Sequence, residues 1–144
     1  MFNNQLIKII IIVSLLSGAI SGIISLIPAV TFFIIIMIMF LAAPFIIIYF
    51  KSLNLIKDLS IDQCMITGAV SGFSSFIGFS LIFFPIAFLI HLFFKLESFI
   101  WVKVICQNLL FIIGIVFFAA ILSGMLNAFT GFLTGYLYQS FRNK

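Results

Sequence analysis

The chain has 144 residues, of which 65% are hydrophobic and 7% charged; its mean hydropathy is +1.46 and its formal net charge +4. A water-soluble domain averages about 45–50% apolar and about 25% charged residues, so these values exclude the soluble globular classes and point to a membrane. The basic residues are scattered between long apolar runs, with no basic cluster or RNA-binding motif; they report orientation in a bilayer and argue against a nucleic-acid partner.

No charged residue occurs between Lys8 and Lys51. As one straight helix that run would be about 60 Å long, against a hydrocarbon core of about 30 Å. It must therefore cross twice and turn within itself. Pro28, with Ser25 just before it, marks the turn, because proline disfavours helix at the preceding residue. The spacing predicts a first span at about 6–27 and a second at about 30–50. Lys8 ahead of an apolar run mimics a secretory signal. A signal's apolar region is about 7–15 residues long and ends at an A-x-A-like site, which this run lacks, so the first helix is read as retained.

In the following loop, KSLNLIKDLSIDQ, Leu53, Ile56 and Leu59 recur every third residue with Lys57 and Asp58 opposite. That pattern suits a short helical turn on the membrane surface or a docking patch for a cytoplasmic partner. Ser60-Ile61-Asp62-Gln63 has the S-x-x-Q form of a capping box, and Asp62 suits a helix start. A third span follows at about 64–90, with His91 near its outer end in FLIHLFF. We read His91 as an interfacial histidine, with pH sensing as the alternative. The apolar stretch from Val104 to Phe141 gives a fourth span at about 107–137, the crossing itself lying near 112–137. A fifth span arises if Leu96–Ile113 also crosses.

Four spans put Lys8, Lys51, Lys57, Arg142 and Lys144 on one side and Lys95 and Lys103 on the other. The positive-inside rule then predicts both termini in the cytoplasm. Tyr49, Tyr136 and Tyr138 fall at inner ends and Trp101 in the outer loop, as aromatic anchors should. A fifth span would send Arg142 and Lys144 outside. The expected fold is an all-α, polytopic transmembrane bundle, with residues 1–144 forming one domain.

The stretch SGAISGIIS, residues 17–25, returns as TGAVSGFSS, residues 67–75. In the first span Ser14, Gly18, Ser21, Gly22 and Ser25 share one helical face; in the third Cys64, Gly68, Ser71, Gly72, Ser75 and Gly78 do the same. The fourth carries Gly124, Ala128, Gly131 and Gly135, with Asn127, Thr130 and Thr134 beside them. Gly114 stands apart from all three stripes. Each glycine costs a helix about 1 kcal/mol of propensity in water. Lipid tails are as apolar as leucine, so helices in a bilayer associate through close van der Waals contact and hydrogen bonds, which small residues permit. We therefore take Gly18, Ser21, Gly22, Gly68, Ser71, Gly72, Gly78, Gly124, Asn127, Gly131 and Gly135 as helix-packing positions. Spans one, three and four are expected to meet along these faces. Span two, with no stripe beyond Ala42, Ala43 and Pro44, is expected to face mostly lipid. The two copies of the motif start at different depths in their helices, about 12 Å apart, which favours independent stripes over an internal duplication.

The run SGAISGIISLIP, a hairpin closing on IYFK, a short loop and TGAVSGFSSFIG resemble the layout of small, glycine-striped, four-span prokaryotic membrane proteins of no assigned activity. The resemblance covers about residues 14–80. It implies a multipass fold in a prokaryotic inner membrane and carries over no functional residue.

Chemistry is hard to assemble from the remaining residues. The acids are Asp58, Asp62 and Glu97, the one histidine is His91, and no Ser-His-Asp set, metal-ligand spacing or phosphate loop can be formed from them. Cys64 and Cys106 fall near opposite faces of the bilayer and read as small apolar fillers. We expect no catalysis, no cofactor and no metal. Charged residues deep inside spans would mark a transport path, and these spans carry none away from their ends. Asn127 is read as an interhelical hydrogen-bonding group, with a permeation role as the alternative; Pro44 and Pro85 are read as tolerated kinks. The expected function is that of a non-enzymatic membrane protein acting by association, as an accessory subunit or homo-oligomer in the lipid bilayer. The alternative is a small oligomeric pore, carrier or holin-like permeabiliser. The two differ in geometry: a pore needs a wet Ser/Thr face with space behind it, whereas an accessory subunit has its stripes closed against protein.

Overall fold

The computed structural model describes residues 4–53, 60–94 and 108–142. They form four helices, α1 (Asn4–Ile24), α2 (Pro28–Ser52), α3 (Ile61–Phe94) and α4 (Leu109–Arg142). All four are long and apolar enough to cross a membrane. The loop residues 54–59, with Ile56, Lys57, Asp58 and Leu59, lie outside the described residues. So does 95–107, with Lys95, Glu97, Trp101, Lys103, Cys106 and most of the stretch on which a fifth span would rest.

The helix boundaries follow from local chemistry. α1 stops at Ile24, three residues before the expected end, and its last turn tightens: Leu26 and Ile27 donate to Ile23 O and Ile24 O at 3.1 and 3.2 Å, the shorter-range pattern common where a helix ends. Pro28 then opens α2 at its first helical position, where the missing N–H and fixed φ cost nothing. The Thr31 hydroxyl reaches back to donate to the Ser25 carbonyl at 2.6 Å, supplying a partner to an acceptor that the ended helix leaves free. At the start of α3, Ser60 Oγ accepts the Gln63 amide at 3.2 Å, the first half of the capping box. The cap moves the start of α3 to Ile61, and the helix runs on past 90 to Phe94. α3 and α4 have 34 residues each, about 51 Å at the helical rise, so in a 30 Å hydrocarbon core both must tilt or project.

α3 is the hub. α1 and α4 both pack on α3 rather than on each other. Spans one, three and four do meet along their small-residue faces, in two separate seams on different sides of α3. α2 departs from expectation. It lies against both α3 and α4 and buries Thr31, Ile34 and Ile38 in its first half and Ala43, Ile46, Ile47 and Phe50 in its second. Phe32, Phe33, Phe45 and Ile48 of α2 are exposed. The larger core joins Ile34 and Ile38 of α2 to Phe76, Phe79, Phe83 and Ala87 of α3 and Ala120 of α4. Within it the Phe79 and Phe83 rings stack with centroids 5.0 Å apart. A smaller cluster ties Ile10 of α1 to Ile46 and Phe50 of α2, and at the same end the Lys51 ammonium lies over the Tyr138 ring of α4.

Candidate functional site

The small residues of α3 divide between its two neighbours. Towards α4, a β-carbon added to Gly68 would collide with the backbone carbonyl of Asn127, and one added to Gly72 would lie 2.6 Å from the Asn127 side chain and from Ser123 O. From the other side, Gly131 rests on the Cys64 carbonyl, Gly135 would place a β-carbon 2.9 Å from Cys64 Sγ, and Gly124 faces Ala69 O at 3.1 Å. Towards α1, Gly18 lies on the Ser75 carbonyl, Gly22 would meet Phe79 O at 2.9 Å, and Gly78 lies on the Leu15 backbone. At all these positions the atoms met are chiefly backbone or short side chains, which cannot swing aside. Gly114 differs, with nothing within 4 Å of an added β-carbon.

The two copies of the repeated motif therefore face different partners. Gly18 and Gly22 serve the α1–α3 seam, while Gly68 and Gly72 serve the α3–α4 seam. Ser71, placed in the same stripe, is buried and donates to its own helix at Gly68 O, 3.1 Å away. Ser21 is half-buried and borders a cleft instead of closing a seam.

Asn127 is the polar centre. It is fully buried, and its carboxamide leaves α4 to enter the backbone of α2. Oδ1 accepts the Ala43 N–H at 2.8 Å, and Nδ2 donates to Ile38 O at 2.8 Å and to Met39 O at 2.9 Å. The same nitrogen lies 2.9 Å from Ser123 O in its own helix. Ala43 and Met39 stand four residues apart, the donor and acceptor that an unbroken helix joins directly. Pro44 follows immediately and has no N–H to offer Phe40. The side chain thus supplements the α2 ladder at its weakest turn. Ser123 completes the junction by donating from Oγ to Gly72 O at 3.0 Å. The sequence marked Asn127 as an interhelical hydrogen-bonding group but not its partner. The one hint was the Ala42-Ala43-Pro44 patch, where small side chains leave the α2 backbone open to a neighbour.

Two clefts flank these seams. One, of about 280 Å³, lies between α1 and α2 with α3 as its floor; its lining includes the serines Ser17, Ser21 and Ser75 beside Ile38 and Ala42. The Ser17 and Ser75 hydroxyls are 3.4 Å apart. The other, of about 510 Å³, separates α3 from α4 around Pro85 and is apolar apart from Ser80. Among the described residues, no three His, Cys, Asp or Glu side chains come together as a metal site would require.

The chain is an integral, multi-pass membrane protein, and its described residues form four apolar helices. No family model, no curated protein and no solved structure matches it.

Proposed function

We propose that this protein is a non-enzymatic membrane component that acts by association, as an accessory subunit or as a homo-oligomer. The observation that carries the reading is the closure of the glycine faces within one chain, with backbone on both sides of each seam. Polar groups along α4 have partners inside the chain as well: Asn127 and Ser123 as above, Thr130 to Asn127 O, and Thr134 to Thr130 O. What remains for a partner is the outer surface, built of Phe, Ile and Leu. Van der Waals fit against lipid or another membrane protein is what such a surface offers. By charge distribution the termini face the cytoplasm, and by the resemblance stated above the membrane is a prokaryotic inner membrane.

One observation favours the second reading, a carrier or oligomeric pore: the cleft between α1 and α2 sets three serines beside open space. Native mass spectrometry of complexes extracted in lipid nanodiscs separates the two. A co-purifying membrane protein, or a dimer with no solute flux in vesicles, supports association. A ring of identical chains that passes ions or small solutes would replace it with the pore.

A further inference from the structure

The α3–α4 seam changes character at the midpoint of α3. In the first half of that helix, Gly68 and Gly72 touch the α4 backbone, and Gly131 and Gly135 of α4 touch α3 in return. From Ile77, half-way along α3, the walls are large: Ile77, Phe84 and Phe88 stand across the cleft from Ile112, Val116 and Phe117. Where the seam gives way to the cleft, the Phe73 and Phe117 rings meet edge to face with centroids 6.1 Å apart. Glycine lets two membrane helices touch, and side chains of this size keep them apart. Leu81, Ile113 and Phe117, all in the lining, are more than half exposed, so the cleft opens sideways on the outer surface of the bundle. Ser80 is the polar exception, and its hydroxyl oxygen is covered.

Depth decides what lies outside that opening. Ile77 to Phe88 rises by about 17 Å, close to the roughly 15 Å of half a hydrocarbon core. The cleft starts at the middle of α3 and ends before Phe94. It therefore lies in one leaflet, on the side of the α1–α2 turn, since Gly22 near the end of α1 packs against Phe79 and Phe83. Water does not fill such a space, because a buried water needs about two to four polar partners and the lining side chains offer none in the open. A neighbouring helix is too thick: at about 10 Å across, a 17 Å length of it takes up roughly 1,300 Å³, against a cleft of about 510 Å³. Left empty, the walls would forfeit their dispersion contacts. We propose that the cleft between α3 and α4 is a binding site for one acyl chain of a phospholipid in that leaflet. Its size agrees. A cavity of about 150 Å³ admits benzene, so 510 Å³ takes a chain of roughly 18 carbon atoms. The site rests on this cleft and on its depth in the bilayer, and stands whether or not the outer surface associates with another protein.

Native mass spectrometry of the full chain, washed in mild detergent until bulk lipid is gone, tests the site. The parent should keep one phospholipid per chain. Val116→Trp, which puts an indole into the cleft, should lower that occupancy by about tenfold or more, the effect of shutting out two methylene groups. Ile113→Trp, at the exposed rim, serves in the same role if the first variant does not fold. Phe129→Trp, exposed and outside the cleft lining, should keep the parent's occupancy. A photoreactive benzoyl-phenylalanine in place of Phe84 should cross-link to a phospholipid acyl chain in the washed parent. No retained phospholipid overturns the site, as does retention that the cleft variants leave unchanged or that Phe129→Trp lowers equally. A cross-link to a second chain, to residues 95–107 of the same chain, or to a lipophilic molecule other than a phospholipid overturns it too, and names the occupant instead.

Discussion

Gly68 of α3 lies so close to the Asn127 carbonyl of α4 that a single added methyl group would occupy the same space as that oxygen. One turn further along α3, Gly72 lies against the Asn127 side chain itself, which in turn reaches α2. Backbone proximity on one seam therefore sets the position of the polar group that ties in the remaining helix. Close packing and hydrogen bonding are coupled through one residue.

The coupling makes Gly72→Leu more damaging than its volume alone suggests. Its side chain has to displace Asn127 or Ser123, pushing α3 from α4 and withdrawing the carboxamide from α2. We expect a loss of about 3 kcal/mol or more, at the upper end of overpacking, measured by reversible unfolding in bicelles. Gly114→Leu is the control: its β-carbon meets nothing within 4 Å, and stability should stay within about 0.5 kcal/mol of the parent. Equal effects at the two sites would show that helix propensity, not contact, governs both.

Asn127→Ala should cost roughly 1–3 kcal/mol, since hydrogen bonds between membrane helices are individually modest while a stranded donor adds its own penalty. No change in permeability should accompany it. Vesicles containing the parent and the variant, assayed for ion leakage, check the second half. A flux that appears or vanishes with this substitution would give Asn127 the permeation role set aside above.

Thr67 makes the opposite kind of prediction. Its hydroxyl is buried and has no hydrogen-bond partner within the described structure. Replacing a buried, unpartnered polar group with an apolar one of similar shape is neutral or stabilising. Thr67→Val should leave the unfolding free energy unchanged or raise it by up to about 1 kcal/mol. A clear loss would mean that the hydroxyl has a partner in the membrane, such as a bound water.

Much of the architecture could be read before any coordinates. Charge-free runs set the number of helices, Pro28 set the first turn, and Ser60 with Gln63 set the start of α3, because each acts through its immediate neighbours. The three stripes were also legible, since 3.6-residue periodicity alone puts Gly18 beside Gly22 and Gly131 beside Gly135. Pairing was less so. Small residues state that something comes close without naming it, so the division of α3 into an α1 face and an α4 face did not follow from spacing. Nor did the docking of α2, whose buried Ile34, Ile38 and Ile46 are chemically the same as the isoleucines it turns outward. Its main polar tether uses backbone atoms of Ile38, Met39 and Ala43, and backbone groups leave no signature in a sequence.

The central claim is that the small-residue seams close within a single chain around α3. The Ser17 and Ser75 hydroxyls, 3.4 Å apart across the α1–α3 seam, allow a direct measurement. With Cys64→Ala and Cys106→Ser in place, Ser17→Cys and Ser75→Cys should form a disulfide under mild oxidation in the membrane, a pairing that requires side chains in immediate contact. A mixture of two differently tagged chains decides where the bond forms. The account predicts a cross-link within each chain, seen as a faster-migrating monomer with no tag exchange. Covalent dimers carrying both tags, or no bridge at all, would contradict it.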